Sequence, residues 1–276
     1  MAVKNITVAL GGSEYMGIAM REACAMAKRH EGRLEGLVIR DTTLVDPIEP
    51  APIGGGSSAR ELREAREDAV RQGMDEAIRR FNDYCRQEGV KHSVVETEGD
   101  AVEILEEKLQ LADLAIFGIR HAFDYGAVLH PHDFLARVAR ASRRPILAMA
   151  EPTHVVNRVI VAYDGSRAAA DALRSFAILQ AFDPELVKVM SVGETDVEAA
   201  EHVETARAYL EAHDYTTEGV VVEGKPSERI LAEAKSIDAD LIVLGAVGRS
   251  GLAKFLMGDT ASSILADSTI SLFLRH

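Results

Sequence analysis

Two stretches of this chain are answered by two others of the same pattern, and that duplication decides its architecture. "ITVALGGS", Ile6 to Ser13, returns as "VIVAYDGS", Val159 to Ser166. Each is followed by a helix-patterned stretch, "EYMGIAMREACAMAKRH" and "RAAADALRSFAILQAF". "LADLAIFG", Leu111 to Gly118, returns as "DADLIVLG", Asp238 to Gly245. Both copies then close on a helix and a short apolar strand, "PILAMA" (Pro145 to Ala150) and "TISLFL" (Thr269 to Leu274). Strand-like runs alternating with amphipathic helical stretches are the pattern of a parallel sheet with helices on its faces. Each copy therefore reads as an α/β unit of five strands, large enough for a core of its own.

The boundary falls in "EPTHVVN", residues 151–157, which divides the chain into units 1–152 and 153–276. The first unit is longer because "DPIEPAPIGGGSSA", Asp46 to Ala59, follows its second strand. That Pro/Gly/Ser composition suits a surface loop. The long helix predicted after it is densely charged, as a solvated face is. The closing strands of the two units are short apolar edges, and such edges tend to be covered or paired. They are expected to meet, which makes the chain an intramolecular pseudo-dimer. A homodimer of whole chains is compatible with that arrangement.

Composition narrows the partners. With 44 acidic against 31 basic residues the formal net charge is −13, which repels a phosphate backbone, so nucleic acid is not expected as a partner. No apolar run approaches the roughly 20 residues needed to cross a bilayer, and "MAVKNITVAL" lacks the basic leader of a secretory signal. A cytoplasmic location without membrane insertion is the expectation. Cys24 and Cys85 lie in helix-patterned segments and read as two small buried or half-buried thiols. "HPHD", His130 to Asp133, puts two imidazoles and a carboxylate in one stretch, yet neither His121 nor His154 completes a recognised ligand spacing. No metal site is expected.

In an open parallel sheet, ligands bind beyond the carboxyl ends of the strands, where the strand order reverses. Asp164 ends the first strand of the second unit and Gly245 ends its fourth. The stretch "GAVGRSGLAKFLMGDT" spaces Gly245, Gly248 and Gly258 as G-x2-G-x9-G. Glycine lets a backbone approach a ligand closely, and "TASSILADS" opens a helix whose first amides can hold an anion. A carboxylate at Asp164 can accept from a ribose hydroxyl or a base amino group. The set suits a nucleotide.

That spacing, joined to a strand ending V-A-Y-D-G-S, resembles the universal stress protein family in its tandem two-domain form, over essentially the whole chain and more closely in the second unit. The resemblance implies two Rossmann-like domains, each a five-stranded parallel sheet of order 3-2-1-4-5 with helices on both faces, which in many members holds ATP. Carried over residue by residue, Ala162, Tyr163, Asp164 and Val192 would border adenine and ribose. Gly245, Val247, Gly248, Gly258, Asp259 and Thr260 would line the ribose and phosphates. Val247 stands where many members have histidine, and Asp259 where the nucleotide-binding members usually have Ser or Thr. A carboxylate there keeps the helix cap but repels phosphate, by about 1 kcal/mol at 4 Å in water-like surroundings and about 4 at an effective dielectric of 20. AMP or ADP is therefore expected to compete well against ATP, unless magnesium bridges Asp259 to the phosphates.

The first unit departs further. Gly11 replaces the acid of the first strand, and the glycines expected after Gly118 fall on His121 and "LHPHD". It reads as a degenerate domain that does not bind nucleotide. No nucleophile, base and orienter appear together in a motif context, so no catalytic residue is assigned and slow ATP hydrolysis is the most turnover expected. The expected function is a stress-response regulatory protein that binds an adenine nucleotide in its second domain and acts on an unidentified protein partner. The alternative is a nucleotide-free interaction scaffold with a non-functional pocket.

Overall fold

The computed structural model describes residues 3–12, 14–43, 56–120, 123, 125, 131–150, 155–193, 197–246 and 259–276. The first half builds β1 (Asn5–Ala9), α1 (Glu14–His30), β2 (Arg33–Asp41), α2 (Gly56–Glu88), β3 (His92–Gly99), α3 (Ala101–Lys108), β4 (Leu114–Gly118), α4 (Pro131–Ala141) and β5 (Ile146–Met149). The second half repeats that order with β6 (Arg158–Ala162), α5 (Arg167–Leu179), β7 (Leu186–Val192), α6 (Val197–Glu211), β8 (Thr217–Val222), α7 (Pro226–Ser236), β9 (Leu241–Gly245), α8 (Asp259–Asp267) and β10 (Ser271–Arg275). His130, His121 and His154 lie outside the described residues, and among those described no group of three His, Cys, Asp or Glu side chains is placed to hold a metal ion. No helix among the described residues is long and apolar enough to cross a membrane.

The ten strands form one sheet in the order β3-β2-β1-β4-β5-β10-β9-β6-β7-β8. Neighbours are parallel except at the centre, where β5 and β10 run antiparallel with Phe273 opposite Leu147 and Leu274 opposite Ile146. Every residue of β5 is buried, so the two apolar edges cover each other and the halves share a continuous sheet. Arg120 reinforces the junction by donating to the carbonyls of Ala266 and Ser268, both at 3.2 Å. Leu114 to Phe117 and Leu241 to Leu244 are buried at every position, which requires cover on both faces of the sheet. On one face α3, α4, α8 and α7 touch in series across the junction, while α1 covers β1 and β4 and α5 covers β9 and β10.

The repeated Ala-Asp-Leu of the two fourth strands has a structural cause. Asp113 accepts the backbone N–H groups of Lys4 and Asn5 at 2.8 and 2.9 Å, and Asp240 accepts those of Asn157 and Arg158 at 2.8 and 3.0 Å. Each carboxylate thus fixes where the first strand of its half begins against the fourth. Ser142 and Ser268 make a second matched pair, each closing a turn onto the strand that follows.

The long helix α2 is buried on one stripe, Met74, Ala77, Phe81 and Cys85, at helical spacing. Residues 64–69 are all exposed, as a solvated charged face should be. On α1, burial pushes the Glu22 carboxyl above its ordinary value of 4.5, with Arg29 acting in the opposite direction. A raised folded value means that the ionised form costs stability. That cost is present in full above the raised value and vanishes as the pH falls below 4.5. Glu22→Gln is therefore expected to raise the urea midpoint at neutral pH and to lose that advantage in acid below 4.5. A variant no more stable than the parent at neutral pH would show that the carboxylate keeps its hydration.

Candidate functional site

The site is built where β6 ends. Beyond Ala162 the chain turns because Asp164 accepts the Ser166 N–H at 2.9 Å, and Gly165 takes a φ of +71° that favours glycine. Ser166 then caps α5 by accepting the Ala169 N–H at 3.2 Å. From α6, the His202 ring fills the space that a Gly165 side chain would need. The same ring meets Tyr163 edge-on, with centroids 6.2 Å apart. Asp164 is therefore held in a wedged turn that uses one of its carboxylate oxygens and leaves the other unused by that turn.

Next to this turn lies a cleft of about 120 Å³, bounded by the carboxyl ends of β6, β7 and β9 and by the first turns of α5, α7 and α8. A single water needs only about 10–15 Å³ of such space, so the cleft is larger than a water site and smaller than the roughly 300–1,000 Å³ of an ordinary small-molecule pocket. Most of its wall is apolar, with Ala162, Met190, Val192, Ile230 and Leu244 among the contributors, while Asp164, Ser166 and Thr260 add polar side chains. No lysine or arginine lines it among the described residues. Burial pushes the Tyr163 phenol up, and the Asp164 charge adds to that shift.

Of the residues singled out from the sequence, Ala162, Tyr163, Asp164, Val192, Gly245 and Thr260 converge on this cleft. Val247, Gly248 and Gly258 lie outside the described residues, as do Arg249 and Lys254, the cations of that stretch. Asp259 is the first residue of α8, and its side chain also lies outside the described set. Sequence reasoning missed Met190, Pro226, Ile230 and Ala261. Gly245 has a packing role: a Cβ there would sit 2.6 Å from the Ala168 carbonyl carbon and 2.7 Å from the Ala169 nitrogen. Gly118 is in the same position in the first half, with a would-be Cβ 2.5 Å from the Tyr15 Cβ. Both glycines let the helix after the first strand lie directly on the end of the fourth.

The corresponding place in the first half is filled. Ala9 pairs with Leu37 as Ala162 pairs with Met190, and the next residues, Leu10 and Tyr163, donate their N–H groups to Leu37 and Met190, each at 2.9 Å. Leu10 and Ile39 are thus the counterparts of Tyr163 and Val192. Into that position comes Tyr125, 8% exposed, whose hydroxyl donates to the Leu10 carbonyl while the Ile39 backbone N–H donates to the same oxygen. Tyr163 and Val192 instead line the cleft.

The family model described as "Universal stress protein family" matches residues 156–274. A universal stress protein of Synechocystis is 22% identical, covering 97% of this chain and 98% of its own. The crystal structure of a universal stress protein from Archaeoglobus fulgidus covers 98% of this chain and 95% of its own at 18% identity, with a TM-score of 0.65. A universal stress protein family protein from Arabidopsis thaliana, solved with AMP bound, covers 43% of this chain at 15% identity and a TM-score of 0.33.

Proposed function

We propose that this chain, which belongs to the universal stress protein family, is a cytoplasmic regulatory protein whose second domain, residues 153–276, binds an adenine nucleotide with little or no turnover. Residues 1–152 form a degenerate domain that keeps the fold and binds none. The observation that carries this reading is the contrast between the halves: a phenol fills one strand-end position, and its counterpart is an open cleft. In the first half the Tyr125 oxygen satisfies one backbone acceptor, at Leu10, and one backbone donor, at Ile39. An adenine edge offers the same pair, an amino donor and a ring-nitrogen acceptor, to Tyr163 and Val192.

In this reading the Asp164 oxygen left over from the Ser166 turn accepts from a ribose hydroxyl, and the amides that open α8 face the phosphates. Asp259 at that helix start weights the site toward AMP or ADP over metal-free ATP, with magnesium relieving the repulsion. Occupancy then biases a surface read by a protein partner. A second reading, a nucleotide-free scaffold, is favoured by one observation: among the described residues no lysine or arginine lines the cleft.

Titration calorimetry with AMP, ADP and ATP separates the two. Asp164→Asn keeps the acceptor that closes the turn but removes the charged acceptor, so it is expected to weaken AMP roughly ten- to a hundredfold, in line with about 1.5–3 kcal/mol for a hydrogen bond to a charged group, without lowering the melting temperature. Absence of binding by the parent protein for all three nucleotides leaves the scaffold reading.

A further inference from the structure

Away from the cleft, α1 and α2 bring together two side chains that the nucleotide reading does not use. Cys24, 1% exposed, and Cys85, 0% exposed, are separated by 61 positions in the chain, yet their sulfurs are 3.7 Å apart. Both are free thiols. One turn further along both helices, Lys28 and Glu88 form an ion pair beside them. Among the described residues no third ligand completes a metal site. We propose that Cys24 and Cys85 are a reversible dithiol–disulfide pair, oxidised by a small peroxide with Cys24 as the attacking sulfur and Cys85 as the resolving one.

The sulfur separation supports the pairing, and the surroundings of each thiol divide the roles. A disulfide bond is about 2.05 Å long, so the sulfurs must close by about 1.7 Å, a movement that side-chain rotation and a small shift of the helix seam can provide. The pair shares its protons unequally: hydrogen bonding from Cys85 lowers the Cys24 thiol against burial and the Glu88 charge, with a smaller lowering from Lys28, whereas that same contact and burial hold the Cys85 thiol up. Cys24 is therefore the sulfur that gives up its proton more readily, and Cys85 the one that holds its own.

The chemistry balances in two steps. The Cys24 thiolate attacks one peroxide oxygen, forming an S–O bond as the O–O bond breaks, and the departing hydroxide takes a proton and leaves as water. Cys85 sulfur then attacks Cys24 sulfur, forming the S–S bond as the S–O bond breaks, and the second water carries away the Cys85 proton. Two thiols are oxidised and one peroxide is reduced to two waters. Burial restricts the reaction to an oxidant close to the size of water. The product ties α2 to α1.

The test treats the full native chain with a modest excess of hydrogen peroxide, quenches with catalase, and unfolds it with N-ethylmaleimide before intact-mass and peptide analysis. The expected result is loss of both alkylatable thiols together, in a monomeric chain lighter by two hydrogens, with one Cys24–Cys85 bridge that dithiothreitol reverses. In Cys85→Ser, whose hydroxyl still donates to Cys24, the remaining thiol is expected to gain one or two oxygens. In Cys24→Ser, Cys85 is expected to react at least about tenfold more slowly. Two thiols that survive in native protein but oxidise in urea overturn the proposal, as does a bridge between chains. Equal rates in the two single variants overturn the assignment of Cys24 as the attacking sulfur.

Discussion

Gly245→Val is expected to cost the second half its fold, and with it any ligand binding. The would-be Cβ lies 2.6 to 2.8 Å from three atoms of Ala168 and Ala169, two of which are backbone atoms in the first turn of α5. Backbone in a capped helix cannot step aside as the end of a flexible side chain does. Moving α5 would also separate Phe176 from Phe273, whose rings meet at 5.9 Å beside the central seam of the sheet. Overpacking of a core costs typically about 1–3 kcal/mol and more where nothing can relax, so Gly245→Ala is expected to lose about 2–4 kcal/mol and the valine variant more. Gly193→Ala is the control, because a Cβ at Gly193 meets nothing within 4 Å. Urea unfolding of the three variants checks this, and a valine variant with the parent's midpoint would mean that α5 does not rest on the end of β9. The consequence for function is practical. Lost nucleotide binding in a Gly245 variant reports a broken helix–strand contact before it reports a lost phosphate contact.

How far the sequence speaks follows from the same contact. The duplication and the continuous apolar runs make the strands, their order of appearance and their double-sided cover legible, because burial on both faces leaves a composition signal. Asp164 is legible as a functional candidate because an acid at the end of an apolar strand is conspicuous. Gly245 is legible as special, but the sequence does not separate its packing role from a ligand role, since close approach to a helix and close approach to a ligand ask for the same missing side chain. Met190 and Ile230 carry no signal at all. At the ends of a strand and in a helix they look like core residues, and only the register of Ala162 against Met190 places one of them in the cleft. The Cys24–Cys85 contact is hidden for a related reason. The spacing of Met74, Ala77, Phe81 and Cys85 shows which face of α2 is buried, but which residue of α1 it meets depends on how the two helices are rotated and offset. Tyr125 sits in a stretch without helical or strand period, so nothing in the sequence marks it as the residue that closes the first half.

Tyr125→Ala is expected to destabilise the first half strongly while leaving the chain able to fold, and to be repaired from outside. The ring is almost wholly buried, packed against Gly73 of α2, where a Cβ would come within 3.3 Å of the Tyr125 Cβ. Truncating a large buried aromatic costs about 3–5 kcal/mol, part of it for the cavity left behind. Tyr125→Phe separates the contributions: it keeps the ring and strands the Leu10 carbonyl and the Ile39 N–H, for about 1–3 kcal/mol. The space opened by alanine has the shape of the side chain removed, with an acceptor and a donor at its inner end. Phenol is therefore expected to bind the alanine variant and not the parent, and at ten times its dissociation constant to restore about 1.4 kcal/mol. Adenine, which offers a donor and an acceptor on one edge, is expected to stabilise the alanine variant beyond what it does for the parent through the second-half cleft. Adenosine should gain nothing further, because Gly11 stands where Asp164 would receive the ribose. Urea midpoints of the parent and both variants, with and without each compound, decide the matter. If phenol shifts the parent and the alanine variant equally, the phenol ring of Tyr125 is not the plug; if it shifts the variant alone, the first half is closed by its own side chain.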